Sequence, residues 1–324
     1  MNNKKEYLIE TEISFIKRWN KAFSKTFNWK LVNEIEVIRN YWLKKLRFIG
    51  PWHPTAFIFN TKLFVNQNKI KNFINGESLF LIPEKYFTLE EKKHLLDHNQ
   101  LIHYLNIENK SINDFLQSLK SRYRSYIKSC LKKILIVKVK SSFEILKYED
   151  SFIRILDRQY IKFLSPSPPI DLIKNLLDQK VIEIYLAFEK DILIGFITLS
   201  TDKNLPHIFW LVKSEDCKNS SNLSLCLYYI CIEESIKRKA KILSFGSSIS
   251  SSVANFKEKL LAERGILFKN NLYSVSSIKK LFEINSSRNK FNLFLMNIIL
   301  RISILIFGIK GFQYVSRQIW KRFD

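Results

Sequence analysis

The chain has 324 residues, room for two domains, and 46% of them are apolar, so a sizeable core can be buried. Gly is scarce at 7 and Phe abundant at 26, which argues against glycine-rich phosphate loops and flexible linkers. The formal charge of +23 favours an anionic partner (nucleic acid, a phospholipid surface or a phosphorylated substrate) or else reflects solvated basic faces.

Residues 1–30 predict an amphipathic helix or two, because Ile16, Trp19, Phe23 and Phe27 recur at spacings of three and four. With Lys17, Arg18, Lys21 and Lys25 around it, this helix either docks on the core or lies on an anionic surface. Charged residues from Lys4 to Glu12 without an adjacent apolar run argue against a signal peptide. Residues 31–105 predict a mixed segment with short strands at Ala56–Phe59 and Leu63–Val65, an apolar run at Glu77–Ile82 and a helix start near Thr88–Glu91. His94, His98 and His103 follow without further ligands at metal spacing, so no metal site is expected. Cys130, Cys217, Cys226 and Cys231 form no CxxC pair and read as small core residues in a reducing compartment.

Asn113–Lys133 predicts a helix whose apolar stripe runs through Phe115, Leu119, Tyr126, Ile127 and Cys130. Arg122, Arg124 and Lys128 belong to its basic cover, which either grips phosphates or is a solvated face. Ile134–Val139 reads as a strand and Ser142–Leu164 as helix. Ser165–Pro169 (SPSPP) then breaks the helix, as a domain linker or a rigid loop, and Ile170–Gln179 resumes it.

The organising stretch is Tyr185–Lys257. Tyr185–Phe188 and Ile192–Leu199 predict a hairpin around Glu189–Asp191, although no Gly or Asn supplies the usual positive φ. A strand at Ile208–Val212, a helix at Leu223–Arg238 and a short strand at Lys241–Phe245 ending on Gly246 complete a mixed α/β core. The strand running into Gly246–Ser248 predicts a ligand crevice at its end. Beyond it, Leu272–Val275 reads as a last strand. Phe291–Leu300 and Ile302–Ile309 are apolar, interrupted by Arg301 and flanked by basic residues. This basic-apolar helix is shorter than a bilayer span and fits either an interfacial helix or a buried one.

Phe115–Lys133 (FLQSLKSRYRSYIKSCLKK), Ala187–Leu199 (AFEKDILIGFITL), and Leu243–Ser248 followed by Asn255–Leu260 (LSFGSS, NFKEKL) resemble, in order and spacing, the FemAB-like and BioF2-like acyltransferases. The resemblance covers about residues 112–275. It implies a GNAT-like mixed sheet flanked by helices, an α/β (α+β) fold in two GNAT-like halves. The implied organisation is an N-terminal α/β half at 1–110, a GNAT-like domain at 111–284 and a helical tail at 285–324. The better-known members transfer an aminoacyl group onto a peptidoglycan precursor. The implied activity is therefore bacterial N-acyltransfer from an acyl-CoA or aminoacyl-tRNA to an amine of a cell-envelope or small-molecule acceptor. No cofactor would be permanently bound, and nucleic acid would enter only as tRNA carrying the donor. The turn Lys218–Asn222 has no Gly where GNAT enzymes bind pyrophosphate, which speaks against acetyl-CoA.

Within the resemblance, Lys257 is the implied catalytic residue, stabilising the donor and the developing oxyanion, and Phe256 lines the site. Trp210, Gly246, Ser247, Arg122, Arg124 and Lys128 are the further binding candidates. Glu183 and Asp216 are weak candidates for a base, and Ser247 has no GxSxG setting. The expected location is cytoplasmic, peripheral on the inner membrane face through 285–324. The alternative is a non-catalytic basic protein that binds anionic lipid or nucleic acid.

Overall fold

The computed structural model describes residues 7–10, 13–28, 30–32, 36–38, 46–47, 78–83, 102–215, 217, 220–247, 251–269 and 275–322. The expected strands at 56–59 and 63–65, the helix start at 88–91, His94, His98 and Asp216 lie outside these residues.

Four strands, β7 (Leu135–Val139), β8 (Ile182–Glu189), β9 (Ile192–Ser200) and β10 (Ile208–Lys213), form an antiparallel sheet in the order β10-β9-β8-β7. The expected hairpin is its centre. Lys190 and Asp191 themselves adopt positive φ, 49° and 64°, and supply the turn without Gly or Asn. This sheet is antiparallel yet apolar on both faces, because helices cover both. Ile184, Leu186, Phe196 and Trp210 pack toward α1 (Ile13–Phe27), α5 (Glu149–Lys162) and α6 (Ile170–Asp178). Tyr185, Ala187, Ile197 and Leu199 pack toward α2 (Ile112–Ser118), α3 (Ser121–Leu131) and α7 (Ser220–Lys237).

The N-terminal helix is docked on the core. Phe15, Trp19, Phe23 and Phe27 are buried and stack along it, with adjacent ring centroids 6.5, 4.9 and 5.9 Å apart. The predicted helix over 113–133 is two helices, α2 and α3, broken at Leu119–Lys120. α2 starts with a capping box at Ser111 and Asp114. The segment 142–164 likewise divides into α4 (Ser142–Leu146) and α5.

A five-stranded sheet takes strands from both ends of the chain. Its order is β1 (Tyr7–Glu10), β5 (Ser78–Pro83), β12 (Glu263–Lys269), β6 (Ile102–Asn106), β11 (Ile242–Ser247), with every pair antiparallel. Three short strands, β2 (Lys30–Val32), β3 (Glu36–Ile38) and β4 (Leu46–Arg47), form a separate sheet. Among the described residues the last strand is β12, which ends three residues before the expected Leu272–Val275. Val275 instead opens the terminal helix α9 (Val275–Arg322), and 270–274 lie outside the described residues. The sequence around β12 carries Glu263, Arg264 and Gly265 at its start, which hid the strand signal.

Candidate active site

The two larger sheets meet at one point. His207, just before β10, and Ser244, within β11, form an isolated parallel bridge, and the Ser244 N–H donates to the Pro206 carbonyl at 2.9 Å. Past that bridge the strands part. The outward backbone groups of β10 at Leu211 and Lys213 find no strand beside them. The Gln159 side chain on α5 takes that place, its amide N donating to the Leu211 carbonyl at 2.8 Å and its Oε1 accepting from the Lys213 N–H at 2.9 Å. Two neighbouring parallel strands that separate in this way leave a crevice at their C-terminal ends.

Gly246 shapes one wall. The register between β11 and β6 slips between Ser244 and Gly246, and Gly246 takes φ 69°, the geometry of a glycine bulge. A Cβ at this position would lie 3.3 Å from His207 Cε1. The bulge turns the strand's carbonyls outward, and Lys257 meets them. Its Nζ donates to the Phe245 carbonyl at 2.8 Å and to the Gly246 carbonyl at 3.1 Å. Lys257 lies on α8 (Ser251–Glu258), which follows β11 directly, and is only 2% exposed. Burial lowers its pKa to about 7.

Two imidazoles flank this ammonium. His207 accepts or donates through Nδ1 to the Ser244 hydroxyl at 2.8 Å. Its pKa falls to about 3, first from burial and then from Lys257. His103, opposite Gly246 on β6, falls to about 4 from burial, then from Lys257 and Arg264. Both rings are therefore neutral at pH 7. His207 is held by an aromatic relay: its ring meets Phe209 edge-on at 4.7 Å, and Phe209 stacks on Trp19 of α1 at 5.3 Å.

The other sequence candidates are distributed as follows. Phe256, beside Lys257, packs on Tyr228, which packs in turn on Phe245. Trp210 points into the core with α1, 9% exposed, while its strand neighbour Phe209 faces His207. Ser247 ends β11, and its side chain lies outside the described residues. Arg124 donates to the carbonyls of Leu119 (2.7 Å), Gln117 (3.0 Å) and Leu116 (3.4 Å), closing the C-terminus of α2. Arg122 donates to the Tyr123 hydroxyl at 2.8 Å. Lys128 lines a shallow groove along α3 with Ser121, Ser125, Ser129 and Lys132. A second groove, of about 470 Å³, runs between the start of α3 and α8, with Lys120 and Tyr123 on one side and Asn255, Glu258 and Lys259 on the other. Tyr123, the partner of Arg122, therefore faces the helix that carries Lys257.

Glu183 is held by Lys138 at 2.8 Å and by Arg238, and accepts from the Tyr185 hydroxyl at 2.9 Å. A carboxylate so engaged is not free to act as a base. His207, Ser244 and Phe209 are site residues that sequence reading missed. The His207–Ser244 contact crosses 37 residues of sequence, and only the strand–helix–strand order hints at it.

No family model and no curated protein sequence matches the chain. Among solved structures it matches FemX over 83% of this chain and 97% of that one, with a TM-score of 0.51 and 11% identity. The chain has a FemX-like fold. That match assigns the fold alone, the GNAT-like mixed sheet flanked by helices that the sequence resemblance implied. The DUF2156 C-terminal domain ascribed to a lysylphosphatidylglycerol synthetase of Agrobacterium fabrum matches 55% of the chain at 12% identity, with a TM-score of 0.38. The chain spans 65% of that domain, just under two thirds. A conserved protein of unknown function from Bacteroides thetaiotaomicron matches 81% of this chain and 92% of its own at 5% identity, with a TM-score of 0.44.

Proposed function

We propose that the FemX-like chain is an N-acyltransferase that joins an acyl or aminoacyl group to an amine of a cell-envelope or small-molecule acceptor, in the crevice between β10 and β11. The observation that carries this reading is Lys257, a buried cation on two strand carbonyls where the sheets part. Acyl transfer to an amine needs a neutral nucleophile, two reactants held together and stabilisation of the tetrahedral oxyanion. Lys257 supplies the last. It releases the longer bond, to the Gly246 carbonyl, and turns its ammonium toward the developing negative charge. Gly246, without a side chain, lets the donor carbonyl approach the bulge. His207, held by Ser244, lines the same wall, and the amine's proton leaves with the departing carrier, on the sulfur of coenzyme A or the ribose oxygen of a tRNA end.

The groove between Tyr123 and Asn255 carries Lys120 and Lys259 on its walls and suits the phosphate-bearing carrier of the donor, a coenzyme A or a tRNA end. A location on the inner face of the membrane, through 285–324, belongs to the same proposal. The test is incubation of the purified protein with labelled aminoacyl-tRNA and, separately, labelled acyl-CoA, together with small molecules that co-purify with it, followed by mass spectrometry. Covalent transfer from one donor class to an amine is the expected result. Recovery of both donors unchanged, with every co-purifying amine unmodified, rejects the reading.

A further inference from the structure

Residues Leu295–Ile319 are long and apolar enough, by length and composition, to cross a membrane. Their geometry is not that of a straight span. Gly308 takes φ 62° and ψ −150°, a conformation open essentially to Gly alone, and interrupts α9. A Cβ on Gly311 would lie 2.6 Å from the Ser303 carbonyl oxygen and 2.5 Å from Phe307 Cβ. Residues eight apart on a straight helix are about 12 Å apart along its axis. The chain therefore doubles back at Gly308, and Gly311 permits the close crossing of the two arms.

The second arm fixes this corner to the core. Phe312 and Ser316 are buried, Gln313 donates to Asp157 at 2.6 Å, and Arg317 pairs with Asp171 at 2.6 Å. The corner itself is left in solvent. Leu305 is 84% and Phe307 69% exposed, with Ile306 and Ile309 also exposed. Along the first arm, Leu295, Ile299 and Ile302 continue the exposed apolar stripe. Arg301 and Lys310 bracket the tip, and between Glu283 and Asp324 the sequence has no acidic residue.

We infer that Leu305–Ile309 is a wedge that enters one leaflet of an anionic bilayer, with Arg301 and Lys310 at the level of the lipid phosphates. The inference goes beyond the transfer reading and does not rest on it. Three arguments favour a lipid surface. The charges that rim the apolar tip are all of one sign, which suits anionic headgroups. An isologous pair of chains would bring the same cations of two copies together. From Arg301 to Phe307 the first arm reaches roughly 9 Å, which stays within one half of a hydrocarbon core about 30 Å thick.

Flotation of the full chain with phosphatidylcholine vesicles, with and without phosphatidylglycerol, tests the wedge. The wild type should float with the anionic vesicles. Leu305→Glu combined with Phe307→Glu should reduce partitioning about tenfold or more, with the thermal melt unchanged. Phe307→Trp should gain fluorescence that is quenched by lipids brominated on the acyl chain. Flotation that survives the double substitution overturns the inference. So does a wild type that stays with the soluble fraction while light scattering shows a dimer that the double substitution dissociates. A Phe307→Trp signal quenched only by an aqueous quencher overturns it too.

Discussion

Gly246 and Gly308 are the two glycines with positive φ among the described residues, at 69° and 62°, and their surroundings are opposite. Gly246 sits 3.3 Å, measured from an added Cβ, from a half-buried imidazole, beside a lysine that holds its strand's carbonyls. Gly308 has nothing within 4 Å of such a Cβ and leads into exposed apolar side chains. The same backbone device, a residue free to enter the left-handed region, thus serves two ends. At the strand bulge it brings the strand's carbonyls to Lys257, beside His207. At the tail it folds an apolar arm back so that the corner protrudes. A conformational outlier gains its meaning from its packing: one of these glycines lies against buried polar groups and the other beside exposed apolar ones.

The largest effect expected from this contrast is in the dependence of stability on pH. Burial lowers the Lys257 pKa from its ordinary 10.5 to about 7, a depression that corresponds to roughly 3–5 kcal/mol. Between pH 7 and about 10 the unfolded chain binds this proton and the folded chain does not. Stability from this group therefore rises as pH rises through that window and is lowest below pH 7. His207 and His103, with folded values of about 3 and 4, act in the same sense at lower pH, adding stability as pH rises toward about 6.5. Denaturant melts at several pH values should show the upper slope in the wild type and its loss in Lys257→Met. Equal slopes in the two proteins would mean that the ammonium is solvated as in water.

Gly246→Ala comes next. The left-handed backbone alone costs about 1–2 kcal/mol, and the close His207 Cε1 adds to it. Gly308→Ala lacks that contact, but its ψ of −150° lies in a region open essentially to Gly alone and costs about 1–3 kcal/mol; its melting temperature should fall while its transfer activity stays at the wild-type level. A loss of transfer in Gly308→Ala as large as in Gly246→Ala would remove the distinction between the two sites. The smallest effect belongs to Leu305→Glu with Phe307→Glu, whose side chains are in solvent. Their combined change in stability should lie within about 0.5 kcal/mol, and a large drop would show that the tip packs on the chain itself.

Much of the frame was legible because local pattern and tertiary burial agree. The hairpin could be read from its two apolar runs, and even its turn could be located, although Lys190 and Asp191 rather than Gly adopt the positive φ. The strand–helix–strand order from Ile208 to Ser247 pointed to the crevice, and the Phe256–Lys257 pair pointed to α8. The partners of Lys257 were not legible, since they are main-chain carbonyls whose direction depends on a bulge. The choice between Trp210 and Phe209 was also closed to sequence, because both faces of β10 are covered and alternation does not say which side meets the site. Arg124 looked like a phosphate ligand and instead bonds carbonyls at a helix end, a break that its continuous helical periodicity concealed. In the tail, Arg301 made the apolar segment read as shorter than a span, whereas Leu295–Ile319 is long and apolar enough to cross a membrane, and its reversal depends on two glycines three residues apart.

The central claim is that the Lys257 ammonium stabilises charge during transfer. Single-turnover transfer by Lys257→Met, an apolar substitution of similar length, tests it most directly once its circular dichroism matches the wild type. The account predicts a rate lower by about 10²–10³, the size of one lost oxyanion donor, with donor binding little changed. A rate within twofold of the wild type would contradict it and leave Lys257 as a staple of the Gly246 bulge.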